Sequence, residues 1–289
     1  MSYRVKQRIF SGAVCEQEVY SVSSNRSRTA SNAVPRLRFQ SEEERELHKA
    51  GISRRRFVQL VNCNFSPTSY YSTLTFDTEN EVHTFEEARQ IRDRYWRRLR
   101  YMYPDAVMCV VMGRGKTTSR IHLHMLSEGI DPDVIKMQWI IYGAVIDIRQ
   151  LREHNYYNGI DYGADYTALA NYLWKHWTPE QGGHRYKMTK NAKKPIKERP
   201  TEPITAYSLE RPPKAPKGYA YVEGFQTEYG YVHFKYVRIP EKDPKKKDRS
   251  DLLNGPCKYV NFYDEEGQPG KRIEPLFRPS GRVRPSLQQ

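Results

Sequence analysis

The sequence has few cysteines, and none of them are paired. Cys15, Cys63, Cys109 and Cys257 are scattered over 289 residues, and no Cys-x-x-Cys pair occurs. Zinc sites and disulfide frameworks need clustered or regularly spaced cysteines, so neither is expected. Scattered, unpaired cysteines are typical of proteins from a reducing cytosol, and we therefore expect a cytoplasmic protein.

Long apolar runs are also missing. The longest uncharged apolar stretch, Met137–Ile146, is about half of the roughly 20 residues that a membrane-spanning helix needs. Arg4, Lys6 and Arg8 stand near the start, but no apolar signal core follows them. We therefore expect neither membrane insertion nor secretion. The phosphate-binding pattern G-x-x-x-x-G-K-S/T does not occur either, which argues against a helicase within this chain.

Hydrophobic residues make up only 38% of the chain, below the roughly 45–50% of an average soluble protein. Among the charged residues, 48 Lys and Arg stand against 34 Asp and Glu, which gives a net charge of +14. The chain also has 22 Tyr. Tyr rings and Arg guanidinium planes stack on bases and positive charge attracts phosphates, so the composition favours nucleic-acid binding. A solvated basic surface is the alternative.

Changes in composition predict four parts. Residues 1–55 form a basic, largely disordered segment, in which residues 21–32 are rich in Ser, Asn and Arg. Residues 56–199 alternate strand-like and helix-like patterns and form the folded domain. Residues 200–240 contain a Pro-rich connector followed by a Tyr-rich segment of strand character, and residues 241–289 form a basic flexible tail.

Within the folded domain, period-two and helical patterns alternate. A capping box at Thr84 and Glu87 predicts the start of one helix, and Asp165 is a candidate N-cap for another. The predicted elements are, in order, strand Tyr70–Phe76, a helix from Thr84 to before Pro104, strands Ala106–Met112 and Arg120–Leu126, helix Asp131–Trp139, strand Ala144–Ile148, and a helix from Asp165 to about Trp177. The short turn between the second and third strands predicts an antiparallel hairpin. The expected fold class is α+β, a central antiparallel sheet with helices on one side, plus a small C-terminal β-rich extension and flexible basic tails.

Two histidines stand two residues apart in the predicted strand Arg120–Leu126. Side chains alternate between the faces of a strand, so His122 and His124 share one face with Arg120. Two imidazoles in this arrangement can bind one divalent ion. The alternative is a pair of solvent-facing strand residues.

The last predicted helix carries a tyrosine and a lysine on one face. Tyr172 and Lys175 are three residues apart, the spacing at which helical side chains are neighbours. A phenol beside an ammonium group is a candidate nucleophile with a cationic helper that also stabilises phosphate charge. The alternative is a Tyr at the edge of the core and a solvated Lys. For His176, the next residue, we expect a structural role.

Three motifs in this order resemble those of a known enzyme superfamily. They are Tyr71-Ser72-Thr73-Leu74-Thr75-Phe76, then Ile121-His122-Leu123-His124, then Asn171-Tyr172-Leu173-Trp174-Lys175. Together they resemble the motifs of HUH endonucleases, in which U is an apolar residue. More narrowly, they resemble rolling-circle replication initiators of bacterial plasmids and phages. The resemblance covers about residues 55–195, roughly half of the chain.

The resemblance implies an HUH/RRM-like fold and a defined reaction. His122 and His124 would hold a divalent ion, Mn2+ or Mg2+, that polarises the scissile phosphate. Tyr172 would attack single-stranded origin DNA, form a 5′-phosphotyrosine link and free a 3′-OH primer. Lys175 would orient Tyr172 or steady the phosphate. A host helicase and polymerase would be partners, in the cytoplasm of a bacterial host.

The third metal ligand departs from the family's pattern. Relatives carry an acidic residue on the strand before the HUH strand, where this sequence has Val110-Val111-Met112-Gly113. Asp77, Glu79 or Glu128 could take its place, or a water molecule could complete the ligand set. The spacing selects none of them.

Basic residues flank the predicted catalytic motifs. They are Arg120 before the histidines and Arg185, Lys187, Lys190, Lys193 and Lys194 after the helix of Tyr172. A groove with such residues would bind a DNA backbone, so we predict a DNA-binding role for all six. Two alternatives to the initiator stay open: a non-catalytic RRM-like protein that binds single-stranded nucleic acid, and a relaxase or transposase of the same chemistry.

Overall fold

The computed structural model describes residues 2–23, 41–79, 81–115, 119–157, 160–178, 181–201, 207–227, 231–239, 257–263 and 269–275. This part of the chain has an α+β fold with four helices and two large antiparallel sheets. The helices are α1 (Glu42–Asn64), α2 (Phe85–Met102), α3 (Pro132–Trp139) and α4 (Thr167–Lys175). The strands are β1 (Ser2–Ser11), β2 (Val14–Ser23), β3 (Tyr70–Phe76), β4 (Val107–Arg114), β5 (Ile121–Glu128), β6 (Gly143–Gln150), β7 (Tyr156–Tyr157), β8 (Ile160–Asp161), β9 (Lys187–Met188), β10 (Ile196–Lys197), β11 (Tyr219–Gln226), β12 (Val232–Arg238), β13 (Cys257–Tyr263) and β14 (Pro269–Pro275).

A five-stranded antiparallel sheet in the order β6-β3-β5-β4-β9, the site sheet, follows the prediction closely. Strands β4 and β5 form the predicted hairpin, from Val107 opposite Glu128 to Arg114 opposite Ile121. The predicted sequence of strands and helices from β3 to α4 is confirmed. The capping box of α2 is also present, because Thr84 accepts a hydrogen bond from the backbone of Glu87 and the Glu87 carboxylate accepts one in return.

Helices cover both faces of the site sheet. On one face, α2 and α3 share a core with β4 and β5, in which Leu99 packs with Leu123. On the other face, α1 and α4 share a second core with the same strands, in which Phe57 and Leu173 pack with Leu126. The prediction of helices on one side only is therefore wrong. Alternating apolar residues on both faces of a strand require cover on both sides.

Helix α1 is the element that the sequence prediction lacks. Its buried residues Phe57 and Val61 directly follow three arginines, Arg54–Arg56, and most of its first half is exposed and charged. Its start carries an ordinary cap, since the Ser41 hydroxyl accepts a hydrogen bond from the backbone of Glu44. The apolar stripe is thus confined to the last turns, where α1 meets α4.

The second sheet has seven antiparallel strands in the order β10-β1-β2-β12-β11-β14-β13. Strands β1 and β2 form a hairpin that turns at Gly12, where φ is +60°. This backbone conformation favours glycine. A Cβ atom at Gly12 would also lie only 2.0 Å from the Asn62 carbonyl oxygen. Glycine therefore lets the hairpin turn pack directly on α1.

The prediction that residues 1–55 are largely disordered is wrong for the described part of that segment. Residues 2–23 form β1 and β2, and residues 42–55 belong to α1. Val5, Ile9, Val14 and Val19 are buried, but charged and amide side chains between them dominate the local composition. Polar residues between them, of which Gln17 and Glu18 are themselves buried, therefore concealed the hairpin. Residues 24–40 lie outside the described residues.

At the C-terminal end, the predicted strand character of the Tyr-rich segment is confirmed by β11 and β12. Phe234 and Tyr236 are fully buried there, as in a packed layer. The predicted flexible tail 241–289 is wrong for β13 and β14, which pair with each other, while β14 also pairs with β11. The rest of that tail lies outside the described residues. No described helix is both long and apolar enough to cross a membrane.

A buried polar cluster joins the second sheet to α1. Glu16 of β2 accepts a hydrogen bond from Gln59 at 2.5 Å and lies 3.0 Å from His233 Nε2. Arg55 pairs with both Glu16 and Glu18. Burial raises the pKa of Glu16, but Arg55 and His233 outweigh burial and hold that pKa well below its usual range.

Candidate metal and nucleophile site

Two histidines project from β5 toward the face covered by α1 and α4. His122 is half-buried and His124 is buried. Their neighbours Ile121, Leu123 and Met125 are buried in the core on the opposite face. The predicted alternation of β5 is confirmed, and the two rings lie together, with 3.1 Å between His122 Nε2 and His124 Nε2.

A third histidine completes this group. His176 follows α4 directly, and its ring centroid lies 4.2 Å from that of His124 and 5.6 Å from that of His122. Ligand nitrogens of His122, His124 and His176, which we call the histidine cluster, all lie within 4.8 Å of one another. His176 was expected to be structural, whereas its position makes it a candidate ligand. Its spacing of four residues from Tyr172 was the sequence signal for this.

Burial keeps the two histidines of β5 uncharged. Burial, followed by the charges of His176 and His122, lowers the pKa of His124 to about 3. Burial also lowers the pKa of His122. Both rings are therefore neutral near pH 7, the form in which imidazole binds metal ions. Two neutral imidazoles and the ring of His176, with converging nitrogens, suit a divalent ion such as Mn2+ or Zn2+.

Tyr71 on the neighbouring strand β3 orients His124. Its hydroxyl lies 2.7 Å from His124 Nδ1 and accepts a hydrogen bond from Thr73 Oγ1 at 3.1 Å. Burial, which outweighs the hydrogen bond from Thr73, raises the pKa of Tyr71 to about 12. If His124 Nδ1 donates to this hydroxyl, His124 Nε2 keeps its lone pair free for a metal ion. The sequence predicts no such role for Tyr71.

Gly113 makes room for the cluster. It stands opposite His122 in the β4–β5 register. A Cβ atom at Gly113 would lie 2.7 Å from His176 Nδ1 and 3.1 Å from His122 Nε2. Any larger residue would therefore push these two rings apart, and Gly113 is a second site residue that the sequence analysis did not identify.

Tyr172 of α4 stands at the rim of the histidine cluster. Its ring centroid lies 5.6 Å from that of His124 and 4.6 Å from that of His176. The side chain is 47% exposed, so a ligand in solvent can reach it. Lys175, one turn further along α4, is exposed as well. The structure thus brings the predicted nucleophile to the predicted metal ligands.

Contacts at both ends hold α4 in place over the sheet. At its start, Asn62 of α1 accepts a hydrogen bond from Tyr166 N at 2.8 Å. At its end, Gln181 donates to the carbonyl oxygens of His176 and Met112, which ties the helix to β4. These contacts restrict how far Tyr172 can move from the cluster.

Arg185 is a further contact at the end of α4. Its guanidinium lies 4.4 Å from the Trp174 ring centroid and 4.2 Å from that of Trp177. Stacking between two indole rings holds the guanidinium in a fixed position and fastens the segment after α4 to the helix. Arg185, which the sequence predicts to bind DNA, therefore also has a structural role.

The other predicted DNA-binding residues lie in different places. Arg120 is exposed and precedes His122. Lys187 turns to the opposite face of the sheet, where it pairs with Asp93 of α2 at 2.7 Å. Lys190, Lys193 and Lys194 are exposed.

The segment of those three lysines runs beside the start of β4. Thr189 pairs with Met108 through its backbone and its hydroxyl. Met108 is five residues before Gly113, which is roughly 17 Å along a strand. Among the six predicted residues, Arg120 stands two residues before His122, and Arg185 stacks on Trp177, the residue that follows His176.

The acidic candidates for a third ligand are not in the cluster. Ser66, Thr68 and Ser69 all donate hydrogen bonds to Glu128 at the far end of β5. Asp77 and Glu79 do not belong to any metal-ligand group found among the described residues. His176 is thus the third ligand candidate that the geometry provides.

No protein-family model, curated protein or solved structure matches this chain. Its assignment therefore depends on the chemistry of the site.

Proposed function

We propose that this protein is a metal-dependent endonuclease that nicks and rejoins single-stranded DNA, and that it acts as a rolling-circle replication initiator. The observation that carries the proposal is the accessible Tyr172 phenol beside a cluster of three histidines, with ring distances of 4.6 and 5.6 Å to two of them. The motifs that supply these residues resemble those of HUH endonucleases. A candidate nucleophile beside candidate metal ligands is the arrangement that such chemistry would use, and it supports the proposal.

His122, His124 and His176 would hold Mn2+ or Mg2+, and such an ion polarises a phosphate as a Lewis acid. The donor set fits a divalent cation, because the rings of His122 and His124 are neutral and the nitrogens of all three rings converge. Imidazole ligands favour Mn2+ over Mg2+, whose preferred ligands are oxygen atoms.

Tyr172 would attack the scissile phosphorus of single-stranded DNA. A bond forms between the phenolic oxygen and phosphorus and the bond between phosphorus and the 3′ oxygen breaks, while the phenol releases its proton to solvent and the leaving 3′ oxygen takes up a proton from solvent. The products are a 5′-phosphotyrosine link and a free 3′-OH. Lys175 and Arg120 would stabilise the phosphate charge during transfer. Attack by a 3′-OH on the same link reverses the step and rejoins the strand.

The biological setting follows from this chemistry. A free 3′-OH at a replication origin is a primer, so the partners would be single-stranded origin DNA, a host polymerase and a host helicase. The setting would be the cytoplasm of a bacterial host of a plasmid or phage. A relaxase or transposase would use the same step on a different DNA.

The alternative of a non-catalytic RRM-like binder is less favoured. Such a module presents aromatic side chains on an open sheet face. Here α2 and α3 cover one face of the site sheet, and α1 and α4 cover much of the other. At the histidine cluster, Tyr172 is exposed, His122 and His176 are half-buried, and His124 is buried.

The test is the formation of a covalent adduct. The protein is incubated with Mn2+ and a random-sequence, single-stranded oligonucleotide library labelled at the 3′ end, and products are separated under denaturing conditions. We expect a labelled protein band that Tyr172→Phe abolishes and that His122→Ala reduces by about a hundredfold or more. Tyr101→Phe, a control at an exposed tyrosine of α2, should keep the band. An adduct in Tyr172→Phe would show that the nucleophile is another residue. If the wild-type protein forms no adduct, nicking is refuted.

A further inference from the structure

A cavity of about 620 Å³ adjoins the histidine cluster. It lies between the site sheet, the β7–β8 hairpin, α4 and the second sheet, and we call it the side cavity. Tyr71 and Tyr172 line it at one end, and Glu223 and Lys235 line it at the other. Tyr172 lines the side cavity and also stands at the rim of the histidine cluster. In a DNA strand whose phosphate lies at Tyr172, the neighbouring nucleotide would therefore lie at the mouth of the side cavity.

The walls of the side cavity carry groups that suit a nucleotide. Arg149 and Arg152 are exposed on the lining, Arg149 in an ion pair with Asp147, and Tyr156 is a 59% exposed ring. Guanidinium groups bind phosphates, and an exposed ring is a platform for an unpaired base. Cavities of about this volume hold ligands of nucleotide size.

Asn171 can supply base recognition. It immediately precedes Tyr172 on α4, is half-buried and lines the side cavity. In the part of the chain that the structure describes, its side-chain amide has no hydrogen-bond partner. An amide presents one acceptor and a donor group, which match the edge of a base.

The floor of the side cavity is formed by Lys235 and the carboxylates around it. Lys235 of the second sheet pairs with Asp165, donates to Thr167 Oγ1 at 3.1 Å and lies 3.8 Å from Glu223. The Lys235 and Asp165 side chains are almost fully buried. One cation, Lys235, stands here against two carboxylates, Asp165 and Glu223, so a phosphate is expected at the arginine side of the cavity and not at its floor.

We propose that the side cavity binds one unpaired nucleotide next to the scissile phosphate and thereby determines the sequence at which the protein nicks. Asn171 reads the base edge, Tyr156 stacks on the base, and Arg149 and Arg152 bind its phosphates. This proposal depends on the nicking activity proposed above. It assigns sequence choice to residues that take no part in the chemical step.

Sequencing of the captured DNA tests this proposal. Adducts formed by the protein on the random single-stranded library are isolated, and the bases on both sides of the link are read. We expect a preferred base at one position beside the link, which Asn171→Ala relaxes while adduct still forms. Tyr156→Ala and Arg152→Ala should weaken binding of the same library about tenfold in a Tyr172→Phe background, as measured by fluorescence anisotropy.

Matched controls lie on the other face of the site sheet. Tyr101→Ala and Arg97→Ala, both exposed on α2, should leave the base preference and the binding unchanged. If wild-type protein forms adduct but Asn171→Ala keeps the full preference, the side cavity does not read the base and nicking still stands. If wild-type protein forms no adduct, the nicking activity itself is refuted and this proposal with it.

Discussion

His176 stands one helical turn after Tyr172, and its ring centroid lies 4.2 Å from that of His124 and 5.6 Å from that of His122. If it is a metal ligand, His176→Ala removes one of three donors. We expect the affinity for Mn2+, measured by isothermal titration calorimetry, to fall about 10–100-fold. His83→Ala, a control at an exposed histidine before α2, should bind Mn2+ as the wild type does. An unchanged Mn2+ affinity in His176→Ala would show that His176 has a structural role and is not a metal ligand.

Gly113 tests how closely the cluster is packed. In Gly113→Ala, the new methyl group overlaps the ring positions of His176 and His122, so the nitrogens cannot keep their places. We expect a folded protein by circular dichroism, with Mn2+ affinity reduced about tenfold. The double variant Gly113→Ala/His176→Ala should lose less affinity than the sum of the two single losses, because the closer contact, to His176, is gone and the 3.1 Å contact to His122 remains. Additive losses would contradict this explanation.

The sequence was informative for the residues that carry the chemistry. His122, His124 and Tyr172 fall in recognisable motifs, because their residue types and spacing are themselves the signal. Tyr71 and Gly113 gave no such signal. A tyrosine in a strand and a glycine before a turn are common, and only the pairing of β3, β5 and β4 shows that both touch the histidines.

At the scale of elements, the position of α4 decides whether Tyr172 meets the cluster. Arg185 stacks between Trp174 and Trp177 and fastens the end of this helix. In Arg185→Ala we expect the free energy of unfolding to fall by about 1–2 kcal/mol, because two stacking contacts are lost. Urea unfolding followed by Trp fluorescence measures this loss.

Arg185→Lys distinguishes the stacking of Arg185 between Trp174 and Trp177, which we call the clamp, from a DNA contact. Lysine keeps the positive charge but lacks the planar group that stacks, so it should restore little of the stability. Faster hydrogen exchange at residues 172–177 in Arg185→Ala would support the clamp. Full stability of Arg185→Ala together with weaker DNA binding would instead assign Arg185 to DNA contact alone.

Sequence patterns predicted elements well where one face of the element is regularly apolar. Strand β3 and helix α2 show this, and the latter also has its capping box. They predicted poorly where charge dominates the composition. In β1 and in the first half of α1, polar residues outnumber the apolar ones that the second sheet and α4 bury.

At the scale of the whole molecule, a polar cluster couples the second sheet to α1 and so to the site sheet. The pKa of Glu16 is below the ordinary value of 4.5 in the folded protein. A carboxyl with a lowered folded-state pKa contributes stability above its unfolded pKa and loses it as the pH falls. We therefore expect the free energy of unfolding to decrease as the pH is lowered below about 5.

Glu16→Gln should remove part of this acid sensitivity. We expect the variant to be about 1.5–3 kcal/mol less stable than the wild type at pH 7, because the charged hydrogen bond from Arg55 is lost. Below pH 4 the difference should shrink. Urea unfolding between pH 3 and pH 7 measures both, and Glu210→Gln, at an exposed carboxylate, is the control. A constant difference across this range would contradict a role for Glu16 ionisation.

The sequence by itself determined the local features of this protein: the basic composition, the order of elements from β3 to α4, and the two motif histidines and tyrosine. These follow from residue type and from the periods of helix and strand, which neighbours along the chain set. Only the tertiary structure decided that His176 is the third ligand candidate and that the two chain ends build a second sheet. It also decided that a cavity opens beside Tyr172. Each of these depends on contacts between residues far apart in sequence, whose pairing no local pattern encodes.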